Sequence, residues 1–322
     1  MAHGSGGEAS ADLMAAIFSK YFSNDILCKM EDGAVLELGG KTAFSTDSFV
    51  VSPLFFAGGD IGKLSICGTA NDLLMMGAVP EYMACGFILE EGLKIALLEK
   101  IVESMAKTAD EAGVKIVAGD TKVVPGRGGL YINTSGLGRI PKGRNVSAAN
   151  IKEGDAVLLS GNLGDHHACI LSARMEIKNN IKSDCACLSD ITKALFEGGV
   201  NVRAMRDVTR GGLGTVLNEL AGASGCGIEI FENSIPVNGE VKGLCGILGL
   251  DPLFMGNEGK MAAFVPAAEA EKALSLMKNT KNAKDAAIIG HATKGGGVVM
   301  RTRLGGGRMI GMLQGEGLPR IC

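Results

Sequence analysis

Apolar residues recur at helical spacing in DLMAAIFSKYF (12–22), and this pattern gives way to the β-branched and aromatic runs VLEL (35–38) and FSTDSFVVSPLFF (44–56). Such runs predict strands, closed here by Pro53 and the Gly58-Gly59 pair. Helical periodicity returns in IGKLSICGTANDLLMMGA (61–78). EYMACGFILEE (81–91) then reads as a strand, LKIALLEKIVESMAKTADEAG (93–113) as a long helix stopped by Gly113, VKIVAG (114–119) as a short buried strand and LYINTSGLGRI (130–140) as another. The polar segment PKGRNVSAANIKEGD (141–155) reads as a linker.

Beyond it, the runs AVLLSG, GIEIF, KMAAFV and AAIIGHAT predict strands. Helical patterns alternate with them at HACILSAR, LSDITKALFEGG, GLGTVLNELAGASG and AAEAEKALSLMKN. From Gly295 two apolar runs predict a final hairpin and then a Gly-rich tail. The expected fold class is therefore α+β or α/β in two domains, residues 1–145 and 146–306, with residues 307–322 as a last strand and flexible tail. A chain of 322 residues is long enough for two cores.

Composition removes several function classes. A net charge of −3 supplies no positive field to gather nucleic acid. No window approaches about 18 consecutive apolar residues and no basic-then-apolar leader opens the chain, which points to a cytoplasmic protein without a membrane partner. The nine cysteines are scattered without CxxC pairs. They read as reduced thiols, including Cys185 and Cys187 in DCAC, and not as a disulfide framework or zinc site.

Four aspartates stand where a helix or strand is expected to meet a turn: Asp47, Asp60, Asp72 and Asp120. Carboxylates are the hard oxygen ligands that Mg²⁺ prefers, with phosphate oxygens and water completing its shell. For each of them, capping a helix or stabilising a turn is an equal reading. Asn71-Asp72 is informative because both are polar inside an apolar helix. The opening HGSGG (3–7) has glycine backbone suited to covering phosphates, although it matches neither GxxxxGK[ST] nor a GxGxxG after a strand. In the second half, RDVTRGGLG (206–214) sets Asp207 and two arginines before a helix N-terminus. GNLGDHHA (161–168) and FMGNEGK (254–260) are further polar glycine turns, holding Asp165 and Glu258. Cys322, the last residue, is a candidate nucleophile. The eight residues GEGLPRIC extend to roughly 25 Å, enough to cross a domain face, and a chance thiol is the alternative.

In order along the chain, AHGSGG, STDSFVVSPLFFAGGDIGKLSICGTANDLLMMGA, AGDTKVV, SGNLGDHHA, RDVTRGGLGTVLNELA, DPLFMGNEGK and the terminal LPRIC resemble the HypE family of hydrogenase expression/formation proteins. That family lies within the superfamily of aminoimidazole ribonucleotide synthase, selenophosphate synthetase and thiamine-monophosphate kinase. The resemblance implies a PurM-like fold, with an N-terminal ATP-binding domain whose strands form a barrel across a homodimer interface and an α+β C-terminal domain. It implies ATP-dependent dehydration of an S-carbamoyl group on Cys322 to an S-cyanate, for the iron of [NiFe]-hydrogenase. HypF is then the carbamoyl donor and the HypC–HypD complex the cyanide acceptor. The implied catalytic residues are Cys322, Glu258 and Lys122. ATP falls to His3, Gly4, Gly6, Gly7, Lys41, Asp47, Asp60, Asn71, Asp72 and Asp120, and Mg²⁺ to the four aspartates. Two departures, His167 where the family more often has Gly and Val208 where Pro is common, bear on Asp165 and Asp207. Two competing readings are another kinase or synthase of the superfamily acting on a free small molecule, and a non-catalytic scaffold.

Overall fold

A computed structural model of the chain describes residues 12–29 and 34–313. His3, Gly4, Gly6 and Gly7, and Cys322 with its tail, lie outside the described residues. The N-terminal amphipathic stretch is π-helical over Met14–Phe18 and α-helical over Ser19–Tyr21, burying Ile17 and Phe18. VLEL does not form a strand: residues 34–39 have no regular structure and Val35 is exposed, since a β-branched run still needs a ladder partner.

β1 (Thr42–Phe49) stops well before Pro53, which has no N–H for a ladder. β2 (Phe55–Phe56) and β3 (Gly59–Asp60) pair as a small ribbon that delivers the chain into α1 (Ile61–Met75). β4 (Val79–Glu90), α2 (Ile95–Ala112), β5 (Lys115–Val124) and β6 (Leu130–Arg139) complete a four-stranded sheet of order β1-β6-β4-β5. β4 and β5 are parallel, so the chain between them must cross over, and α2 is that crossover. Its apolar stripe, Leu98, Ile101, Val102, Met105 and Ala109, faces the core, and Gly113 at φ 73° ends it in the left-handed conformation. α1 is buried almost all round, because the sheet lies on one side and α2 and the second domain on the others.

The second domain carries β7 (Ala156–Leu159), α3 (Asp165–Arg174), α4 (Ser189–Glu197), β8 (Ala204–Asp207), α5 (Gly212–Ser224) and β9 (Gly227–Phe231). It continues with α6 (Gly239–Leu248), β10 (Met261–Val265), α7 (Ala270–Lys278), β11 (Ala287–Thr293), β12 (Val298–Arg301) and β13 (Gly307–Ile310). The seven strands form one mixed sheet, β13-β12-β9-β11-β7-β10-β8, in which only β9 and β12 are parallel. Val157, Leu159, Ala262 and Phe264 meet α5, while Leu158, Ala263 and Val265 meet α4 and α7 on the other face. Burial on both faces explains why these strands are continuous apolar runs. The patterning missed two elements. β8 is four residues long, and α6 is glycine-rich, held by the Asn238 side chain accepting from the Glu240 N–H. Among the described residues no helix is long and apolar enough to cross a membrane.

Candidate active site

Asp47 and Asp72 come together on the inner side of the first sheet. Asp47 on β1 is paired with Thr134, whose hydroxyl is buried against Thr69 of α1, so Asp47 faces α1. Two residues back on the same face, the Ser45 hydroxyl donates to Asp72 Oδ2 at 2.6 Å. Burial lifts the Asp72 carboxyl above the usual carboxylate range, the Ser45 bond pulls it down, and Asp47 adds to the lift.

The other expected ligands go elsewhere. Asp60 caps α1: its Oδ1 accepts from the Gly62 and Lys63 N–H groups at 2.7 and 3.0 Å, and its Oδ2 accepts from Ser104 at 2.6 Å. The capping alternative thus describes Asp60. Asp120 lies in mid-strand and not at a turn. It pairs with Gly86 in the row beside the buried Cys85, and therefore points to the outward face of the sheet. There it sits 2.8 Å from Lys122, which holds its carboxyl below the usual range. Lys41 precedes β1 by one residue and lies six residues before Asp47, about 20 Å along extended chain. Asn71 is 2% exposed and both ends of its amide are committed: Oδ1 accepts from the Leu188 N–H at 2.9 Å and Nδ2 donates to the Ala186 carbonyl at 3.1 Å. These bonds join the two domains, so the side chain that the resemblance assigned to the nucleotide is engaged here with the second domain. Among the described residues no three His, Cys, Asp or Glu side chains converge as a metal-holding group, so the four aspartates do not form one centre.

In the second domain three loops meet at Asn257, which is fully buried. Its Oδ1 accepts from the Gly164 N–H at 2.7 Å and its Nδ2 donates to the Val208 carbonyl at 3.0 Å. Both departures from the family pattern take part. Val208 donates its N–H to the Lys260 carbonyl at 2.8 Å, a bond that proline cannot make. His167 accepts from the Gly256 N–H at Nδ1, and its backbone N–H donates to the Gly256 carbonyl. Burial drives the His167 imidazole down to about 4, so it stays neutral. Burial pushes Asp165 up to about 6, with Asp184 adding to the effect.

The two sets face each other across the domain seam. Arg210, just before α5, lies 3.9 Å from Asp47. Asp207, at the end of β8, is pushed up to about 7 by burial and then by Asp72 and, less, Asp47. Glu258 is 4% exposed, and its carboxyl is raised well above the usual range by burial first and then by Cys185, Asp207, Asp184 and Asp47. The chain after β13 returns to the same place. Asn218 of α5 donates to the Ile310 carbonyl at 2.9 Å, and the Leu313 N–H donates to the Thr215 hydroxyl at 3.4 Å. Thr215 is five residues past Arg210. Of the residues that build this seam, the sequence patterns passed over Asp184, which accepts from the Glu258 N–H at 3.1 Å and lies 3.8 Å from Lys260. An acidic residue just before the apolar run CACL was its one signal.

The chain matches the model of AIR synthase related protein, N-terminal domain, over residues 30–140, and that of its C-terminal domain over residues 152–303. It is 47% identical over 332 residues to the carbamoyl dehydratase HypE of Rhodobacter capsulatus, covering 100% of this chain and 97% of that protein. The chain belongs to the HypE family. A crystal structure of the hydrogenase maturation protein HypE in complex with ATP matches with a TM-score of 0.96 at 45% identity, over 100% of this chain and 99% of that one. A HypE chain from a HypE–HypF complex matches with a TM-score of 0.83 at 46% identity, over 94% and 99%. The two-domain PurM-like fold expected from the motifs is the one present.

Proposed function

We propose that this protein is an ATP-dependent carbamoyl dehydratase of hydrogenase maturation, with Cys322 as the carrier of the reacting group. The observation that carries the proposal is the seam itself. Asp47 and Asp72 from one domain meet Asp207, Arg210 and Glu258 from the other, and Leu313 is tied to Thr215 beside them. Cys322 lies nine residues after Leu313, a reach of at most about 30 Å, which is sufficient for entry into the seam and for presentation outside.

The chemistry fits those groups. The S-carbamoyl group must lose its oxygen and two N–H protons to become an S-cyanate, and amide oxygen is a poor leaving group. Transfer of the ATP γ-phosphoryl group to that oxygen lets it depart as phosphate. Glu258, buried at the seam, is the candidate general base for an N–H proton. Arg210 supplies positive charge opposite Asp47 for the phosphate chain. Asp47 and Asp72 fit a Mg²⁺ ion: two hard carboxylates repel one another beside a third acid, Asp207, that burial keeps partly protonated. When bound there, Mg²⁺ offsets the charge of the triphosphate. The activated group must be kept from water, and the buried Glu258 marks the part of the seam that is already dry.

Asp120 and Lys122 enter this reading through a homodimer. The outward face of the first sheet carries Phe44 and Ile88 at 66% and 46% exposure, a surface suited to a second copy whose strands would close a barrel. HypF, as donor, and HypC–HypD, as acceptor, are the partners that the tail would serve, in the cytoplasm, where the chain's free thiols stay reduced. Deletion of residues 319–322 tests the proposal against a superfamily enzyme acting on a free small molecule. The expected result is loss of ATP turnover with nucleotide binding retained. Turnover that survives the deletion would favour the free substrate, and ATP turnover absent from the carbamoylated full chain would favour a scaffold.

A further inference from the structure

Asn71 stands beside Asp72 on α1, buried in apolar surroundings, with both its amide oxygen and its amide nitrogen bonded to the second domain, at Leu188 and Ala186. The segment it grips is the one that holds Glu258. The Asp184 carboxylate accepts the Glu258 N–H at 3.1 Å, and the Ala186 N–H donates to the Glu258 carbonyl at 3.2 Å. The next residue, Gly259, has no room for a Cβ, which would collide with the Asp184 carbonyl oxygen. Residues 184–186 therefore fix both polar groups of the Glu258 backbone, and Asn71 fixes residues 186–188 to α1. We propose that Asn71 is a positioning residue, holding Glu258 in register with Asp72 across the domain seam through the segment 184–188.

The physical case rests on what the amide replaces. An apolar side chain would fill the same buried space without desolvating an amide, so an Asn here is stabilised only by bonds of the right geometry. α1 also meets this segment where Cys67 touches Cys185, but that contact is between thiols, whereas the Asn71 bonds hold two backbone groups two residues apart. That fixes direction as well as distance. Glu258 has to meet an N–H proton of a group brought in on a tail, and a displacement of about 1 Å at such a centre costs on the order of a hundredfold in rate.

The inference rests on the assignment of Glu258 as base, and a double-mutant cycle separates the two. The full chain, carbamoylated at Cys322, is followed for S-cyanate formation in a single turnover. Asn71→Ala is expected to slow this step on the order of a hundredfold, while ATP affinity changes by less than about threefold. In a Glu258→Gln background the same substitution is expected to cost less than about threefold. If Asn71→Ala does not fold, Asn71→Ser, which is too short to span both bonds, should show a comparable loss that also vanishes in the Glu258→Gln background. A cost undiminished in that background overturns the positioning role and leaves Glu258 as base. Loss of ATP affinity in step with rate overturns it as well, as does an unchanged rate. A Glu258→Gln protein of full rate removes the base and this inference together.

Discussion

Arg210 Nη2 lies 3.9 Å from Asp47 Oδ1, joining the loop before α5 to the end of β1 across the domain seam. Both groups are partly exposed, so the pair adds little to stability, and its consequence is to set a cation opposite the acidic pair. Arg210→Gln is accordingly expected to weaken ATP binding on the order of tenfold, about 1.4 kcal/mol, with little change in melting temperature. Calorimetric titration checks this, and an unchanged affinity would remove Arg210 from the phosphate path.

Asp72 stands on α1 and Asp60, twelve residues earlier, caps it, and the two should respond differently. Asp72→Asn is expected to lower Mg²⁺-dependent nucleotide affinity by ten- to a hundredfold, roughly 1.4–2.8 kcal/mol, with the fold retained. Asp60→Ala removes a cap and the Ser104 bond, and should cost about 1–2 kcal/mol of stability while leaving nucleotide affinity in place. Denaturant unfolding and nucleotide titration of both variants give the comparison. Equal effects on binding would return Asp60 to the site.

The outward face of the first sheet gives a third test. Glutamate at both Phe44 and Ile88 places unpaired charge on the surface assigned to the second copy, and light scattering should then find a monomer. A dimer that persists would move the interface elsewhere and leave Asp120 and Lys122 outside the reaction.

His167 makes stability depend on pH. Its imidazole is held at about 4 in the folded chain against 6.5 in the unfolded one, so the unfolded chain binds the extra proton between these values. The stability is present above pH 6.5 and is lost as pH falls toward 4, by about 3 kcal/mol. Asp165, raised to about 6, works in the opposite direction as pH rises, so the comparison must be with a variant. Between pH 7.5 and 4 the wild-type chain should lose about 3 kcal/mol more unfolding free energy than His167→Gln. Parallel curves would show that burial does not hold His167 neutral.

Much of this was legible in the sequence because periodicity reports burial. The α2 stripe, the apolar runs of β7 and β10, and the hairpin of β12 and β13 all announce themselves. The motifs around Asp47, Asp72, Asp207 and Glu258 marked the loops that meet at the seam. What patterning does not carry is which face a strand residue takes once its partners are known. Asp120, preceded by glycine, looked a better ligand than Asp47, yet the register sets Asp120 on the outward face and Asp47 against α1. Nor does it show whether a polar side chain already has partners: Asp60 and Asn71 are bonded to protein groups at both of their terminal atoms, one of those groups 115 residues away.

The central claim is that Cys322 carries the group that is dehydrated, and mass spectrometry of the C-terminal peptide tests it most directly. With HypF, carbamoyl phosphate and ATP, the account predicts a carbamoyl adduct on Cys322 that loses one water when ATP is consumed. Absence of any adduct at Cys322, with ATP still turned over, would contradict it.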